Sequence, residues 1–310
     1  RATKATAFLV DSKQRLESVS DAAQLKSLLS DIQRNGLSSF NKALCTLHDA
    51  LNNTATTVVP KVPIDGFSTM PLDDKLASLQ AVLAAGQPNA GNGDLFTQVQ
   101  RMSGAAGFIG SLRTQVSDSV TRSLANLPDG NEKSLTQLTA LEGEVNKLGG
   151  LMPADLTALQ VQIKTKKIDI LTALVRDLDD KATPRHYEAL EVKIQELAKE
   201  LTLTIAANRT VANAAGAGVV EFQALAGQLG VLATSIKTSY EGYLNRTMDD
   251  LVEKIRDAQS DTQLTKVSAK VRLLETQAKV LQKKLKTLEV DLPTATRIDQ
   301  INQAIGQVIS

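Results

Sequence analysis

Residues 264–288, LTKVSAKVRLLETQAKVLQKKLKTL, place Leu264, Val267, Val271, Leu274, Ala278, Leu281, Leu285 and Leu288 at alternating steps of three and four. That spacing lays the apolar side chains along one stripe of an α-helix and does not suit the two-residue alternation of a strand. So long a stripe needs other helices to cover it, which makes helix-on-helix packing the organising principle of the chain. With Leu264 at heptad position a, Leu273 and Val280 fall at c, outside the a/d seam. A two-stranded coil would leave both in water, so the spacing predicts a helix covered by at least two neighbours, mostly within the chain itself.

The same period runs through most of the 310 residues. It predicts helices near 3–18, 21–34, 37–52, 71–85, 94–127, 134–148, 153–180, 184–214, 219–259, 263–289 and 294–308. Start signals precede several of them: Asp21, Pro71, Asp94, Pro153 and the pair Thr183-Pro184. A short polar side chain at such a position accepts from amides that have no helical partner, and proline loses nothing where its N–H would be unpaired. Asn35-Gly36, Gly86, Pro128-Asp129-Gly130 and Gly149-Gly150 read as stops. Residues 53–70, with β-prone Thr56, Thr57, Val58 and Val59 beside Pro60 and Pro63, read as a crossover loop, and 86–93 as a second loop.

The fold class that follows is all-α: an elongated antiparallel helical bundle with coiled-coil-like long helices. The pattern divides into an N-terminal helical region, 1–150, carrying the extended loop 53–70, and a long-helix antiparallel bundle, 151–310. Aromatic residues are 3% of the chain and Trp is absent, so the core is built from Leu, Val, Ile and Ala, with few deep aromatic pockets or base-stacking platforms. Residues 238–262 hold six acids and three bases, and 263–288 hold seven bases and one acid. Ser260-Asp261-Thr262-Gln263 between them fits an S-x-x-Q capping box. An acidic helix, a turn and a basic helix match in charge when they run antiparallel, so the basic run is expected to be neutralised within the chain. With 35 Lys plus Arg against 34 Asp plus Glu, net charge supplies no attraction to nucleic acid.

Two stretches invite a functional reading. In MSGAAGFIGSL, 102–112, Gly104, Gly107 and Gly110 with Phe108-Ile109 resemble the GxxGxxG turn of extended short-chain dehydrogenases and sugar-nucleotide epimerases. The resemblance implies a pyrophosphate at a helix N-terminus that follows an apolar strand. Here the preceding residues carry Leu95, Val99 and Met102 at helical spacing, and none of Tyr187, Tyr240 and Tyr243 has the family's lysine four positions later. The reading that fits is a close helix crossing with glycines on one side. Residues 211–236, VANAAGAGVVEFQALAGQLGVLATSI, contain one ionisable residue, Glu221. Their glycine-containing apolar composition resembles the insertion heads of helical pore-forming toxins such as the haemolytic-enterotoxin family, which implies a segment that leaves a bundle to enter a bilayer. Read from the residues, with Asn213, Gln223, Gln228 and several glycines diluting it, the segment is a buried central helix.

Catalytic material is sparse. Cys45 is the only cysteine, which excludes an intrachain disulfide and a cysteine-based zinc cluster. His48 lies beside the Leu44–Leu47–Leu51 face next to Asp49, and His186 follows Thr183-Pro184; no motif joins them into a triad or a metal set. Asp73-Asp74 and Asp179-Asp180 are acidic pairs near helix ends without EF-hand spacing. No catalytic, cofactor-binding or metal residue is assigned, and no enzyme is expected. Asn52, Asn208 and Asn245 open N-x-T sequons. A start at Arg1 without methionine or apolar leader, and an end at Ile309-Ser310 without a helix stop, fit a segment of a larger protein. The expectation is a non-catalytic interaction or structural module, a surface-exposed binding or scaffold domain. Its partner would be a macromolecule, a protein first, with no nucleic acid expected, met through a helical face or the two loops. The alternatives are a membrane-active bundle inserting 211–236 and a self-assembling coat subunit. Secreted or cell-surface exposure is favoured over the cytoplasm.

Overall fold

The computed structural model describes residues 2–53, 66–85, 93–149, 153–178, 182–211, 218–257 and 261–286, with Gln303. Among the described residues every regular element is helical, as the periodicity requires. The elements are α1 (Ala2–Ser18), α2 (Ala22–Asp31), a π turn (Ile32–Leu37), α3 (Ser38–Asn53), a 3-10 turn (Phe67–Thr69), α4 (Leu72–Ala85), α5 (Gly93–Ser103), α6 (Ala105–Asn126), α7 (Glu132–Lys147), α8 (Pro153–Arg176), α9 (Pro184–Val211), α10 (Val219–Arg256) and α11 (Asp261–Lys286). Residues 54–65 and 86–92, Asp179-Asp180, Ser260 of the capping box, and the helix expected over 294–308 apart from Gln303 lie outside the described residues.

Helix starts follow their sequence signals. Asp21 has extended backbone, and its carboxylate accepts from the Ala23 and Gln24 amides, each at 2.9 Å. Thr183 and His186 cap α9 from opposite directions: the His186 amide donates to the Thr183 carbonyl at 2.9 Å, and the Thr183 amide donates to His186 Nδ1 at 3.0 Å. Such contacts satisfy donors that the first helical turn leaves orphaned.

Two expected boundaries differ. Asn35-Gly36 does not end a helix; the backbone widens there into the π turn and continues as α3. The reason lies about 27 residues away in sequence, where α1 passes so close that a Cβ on Gly36 would collide with Leu9 Cδ2. Conversely, the helix expected over 94–127 is broken at Gly104, a turn residue whose amide closes α5 on the Gln100 carbonyl at 3.0 Å.

By contact density the chain forms two compact units, Arg1–Ile170 with Ile205–Leu225, and Leu171–Thr204 with Ala226–Ser310. The bounds of these units fall inside α8, α9 and α10. In the first unit α2 packs on α6 and α7, α1 on the π turn, α3 and α6, and α5 on α3, α4 and α6. Buried Leu9, Leu16, Leu25, Leu29, Phe40 and Leu112 lie in this core. The C-terminal carbonyls of α1 are gripped by α6: Arg122 donates to Glu17 O at 2.7 Å and Leu16 O at 2.9 Å, and Asn126 Nδ2 to Ser20 O at 3.3 Å. The Arg122 cation there complements the negative end of the helix dipole.

In the second unit α9 buries Tyr187, Leu190, Ile194, Leu197 and Leu201, and α10 buries Leu229, Leu232, Ile236, Tyr240, Leu244, Met248 and Leu251. Tyr187 stacks on Tyr240 with ring centroids 4.9 Å apart, joining the two helices. On α11, Val267 and Val271 are buried as the heptad seam predicts, whereas Leu273 is 61% and Val280 44% exposed. The c positions thus remain in water, a correction to the expectation that neighbours would cover them. The other seam side chains, Leu264, Leu274, Ala278, Leu281, Leu285 and Leu288, fall outside the described side chains.

Candidate functional site

A trough in the first unit forms where small residues stand on neighbouring helices. Ala5 on α1 and Ala43 and Ala50 on α3 leave a trough whose walls are Phe8, Leu47, Leu95 and Met102. Its volume is about 680 Å³, and the exposed Lys4 and Lys42 line it together with polar Asn35, Ser39 and Gln98. The π turn contributes directly, because Asn35 belongs to it and the close Gly36–Leu9 approach sets the distance between α1 and the start of α3. An apolar floor with a few polar groups at the edge is the usual composition of a binding site, and the volume falls within the range of about 300–1,000 Å³ seen for such sites. Periodicity placed these residues on helices but did not reveal the trough. It arises from alanines on different elements, which carry no pattern of their own.

His48 is a core residue. It is 2% exposed, stacks on Phe67 with centroids 3.9 Å apart, and meets Asp49 at 3.4 Å through Nδ1. His186 is an exposed helix cap, and Cys45 is half-buried on α3. Asp73 pairs with Arg113 at 2.6 Å at the start of α4. These groups stand in separate local contacts, and among the described residues no three His, Cys, Asp or Glu side chains converge in a metal-binding arrangement. The sequon residues Asn52, Asn208 and Asn245 are all helical.

The glycines of residues 102–112 are neither a phosphate cradle nor a helix crossing. Gly104 is the α5–α6 turn, and a Cβ on Gly107 or Gly110 would meet nothing within 4 Å. The tightest approaches shown are at Gly36 and at Gly218, which has φ +97 and would drive a Cβ into Thr157. Glu221, the lone ionisable residue of 211–236, acts locally. Its carboxylate accepts from the Gly218 amide at 2.9 Å, closing the first turn of α10. Residues 212–217 lie outside the described residues. The rest of the segment is not a fully buried central helix. Phe222, Leu225, Leu229, Leu232 and Ile236 face inward, while Val220 and Val231 are each 69% exposed. By length and composition Val219–Leu251 is the one described stretch that could cross a bilayer, and 28% of its apolar window is buried.

Charge is handled locally. Glu142 on α7, itself buried, bridges Lys164 and Lys167 of α8 at 2.8 and 2.5 Å, two lysines that are 1% and 4% exposed. A bidentate carboxylate between two ammonium groups ties the helices together, and it offers little to a ligand because both oxygens are occupied. Burial, then Asp129, push the Asp169 carboxyl above the usual carboxylate range, with Lys166 opposing. Burial also pushes Tyr240 up to about 12, helped by Glu188, Tyr243, Glu191 and Tyr187. Ion pairs shown on α10 and α11, Lys254–Asp250 and Lys279–Glu275, each lie within one helix. No protein-family model, curated protein or solved structure matches this chain.

Proposed function

We propose that the chain is a non-catalytic interaction module that binds a protein partner by accepting an amphipathic helix in the trough between α1, α3 and α5. The observation that carries this reading is the trough itself: apolar walls around about 680 Å³, with lysines at Lys4 and Lys42. Helix-in-groove recognition uses such a surface, taking i, i+3/i+4 and i+7 apolar anchors from the partner. The lysines favour a partner helix with acidic residues flanking its apolar stripe. Apolar contact supplies the affinity, and the charges set orientation.

A displayed library of amphipathic helices selected against the protein tests this. Enriched peptides should carry apolar anchors at helical spacing with acidic flanks, and Phe8→Asp should weaken them at least about tenfold, equivalent to about 1.4 kcal/mol. Circular dichroism establishes that the variant remains helical. Peptides that bind Phe8→Asp as well as the parent chain would place recognition elsewhere.

One observation favours a second reading, a membrane-active bundle: α10 is long and apolar and leaves Val220 and Val231 in water. Under that reading α10 leaves its neighbours and enters a bilayer.

A further inference from the structure

On the other side of the π turn, a smaller cavity of about 210 Å³ opens between α3, α4 and the 3-10 turn, below the size usual for drug-like ligands. Gln33, Ser38, Asn41, Ser68, Lys75 and Lys147 supply its polar lining. Lys75 is the unusual member. It is 2% exposed, and its ammonium donates to Asn41 Oδ1 at 2.6 Å and to the Ser68 carbonyl at 2.9 Å. The ring of Phe67 lies 5.8 Å from Nζ, fixed in turn by its stack on His48. Among the described residues these are its partners, and all of them are neutral.

Buried charges in proteins are ordinarily paired with opposite charge. An ammonium also has three protons to place, and two are accounted for here. Among the described residues no carboxylate pairs with Lys75. Lys147 is a second cation on the lining, already engaged by Glu144 at 2.8 Å, and Asp73 is held by Arg113. Asn41, with its oxygen given to Lys75, is left with amide protons to donate, and Gln33 adds another amide to the lining. The cavity therefore has a buried cation that no described carboxylate pairs with, neutral N–H donors and room for a few heavy atoms.

We propose that this cavity binds a small oxyanion, a phosphate group or a short carboxylate, with Lys75 as its buried counter-charge. Both anions offer the same chemistry to these donors, namely oxygens carrying delocalised negative charge. The site is separate from the trough and does not depend on the helix-docking reading.

Isothermal titration in chloride buffer, with inorganic phosphate in one arm and acetate in the other, tests it on the full chain. Saturable binding of at least one anion is expected, and the arm that saturates identifies the class. Lys75→Met keeps the apolar stem and removes the charge; it should weaken binding at least about tenfold. Should that variant fail to fold by circular dichroism, Gln33→Ala, a half-buried position on the lining, takes its place and should also weaken binding. Absence of saturable binding in both arms, or parent-like affinity in the folded variant, would overturn the proposal.

Discussion

At Tyr240 a phenol is enclosed by Tyr187 and Tyr243, with Glu188 and Glu191 adding negative potential. Burial and then these acids hold its proton until about pH 12, against an ordinary value of about 10. Below the ordinary value both folded and unfolded chains are protonated, so the residue adds no pH dependence. Between the two values the unfolded chain releases a proton that the folded chain keeps, and stability falls as pH rises. Urea midpoints measured across that window should decline in the parent chain and decline less in Tyr240→Phe; equal slopes would contradict the enclosure. Residue roles were partly legible beforehand. Asp21 could be read because a cap acts within three residues of itself. Lys75 could not, because its acceptors Asn41 and Ser68 are brought to it only by the turn between α3 and α4.

At the scale of the element, glycines separate what periodicity reports from what packing decides. Gly107 sits in α6 with open space around a Cβ, so Gly107→Ala should stabilise the chain by about 0.5–1 kcal/mol through helix propensity. Gly218 precedes α10 at φ +97 with Thr157 against it, so Gly218→Ala should destabilise by about 1–3 kcal/mol. Thermal or urea unfolding of the two variants would show opposite signs; a shared sign would contradict the local geometry. The existence of nearly every described helix was legible, since the core-facing stripes of α9 and α10 are written at three- and four-residue steps. The continuation through Asn35-Gly36 was not, because a glycine that ends a helix and a glycine that admits a neighbouring helix look identical in one dimension. Leu273 and Val280 taught the complementary lesson: apolar character marks a side chain that could be covered, and here nothing in the described chain covers it.

For the whole molecule, the all-α class was readable from a single period and a low aromatic content. The bounds of the two compact units run through continuous helices, where no linker composition marks them. The same continuity bears on the membrane-active reading, in which α10 must give up Phe222, Leu225 and Leu229 from its packed face before it inserts. The interaction-module reading predicts that dye-loaded anionic vesicles stay sealed in the presence of the protein. Leakage that disappears in Val231→Asp, a change at an exposed position whose helicity circular dichroism checks, would shift the function to the bilayer.

The grip of α6 on the end of α1 also sets an order of events during synthesis. Arg122 emerges 105 residues after Glu17, whose carbonyl it binds. At about 5–20 residues per second, a ribosome delivers it roughly 5–20 seconds later. Through that interval α1 can pack on the π turn and α3, which emerge first, while the carbonyls at its end wait for the clasp that α6 brings.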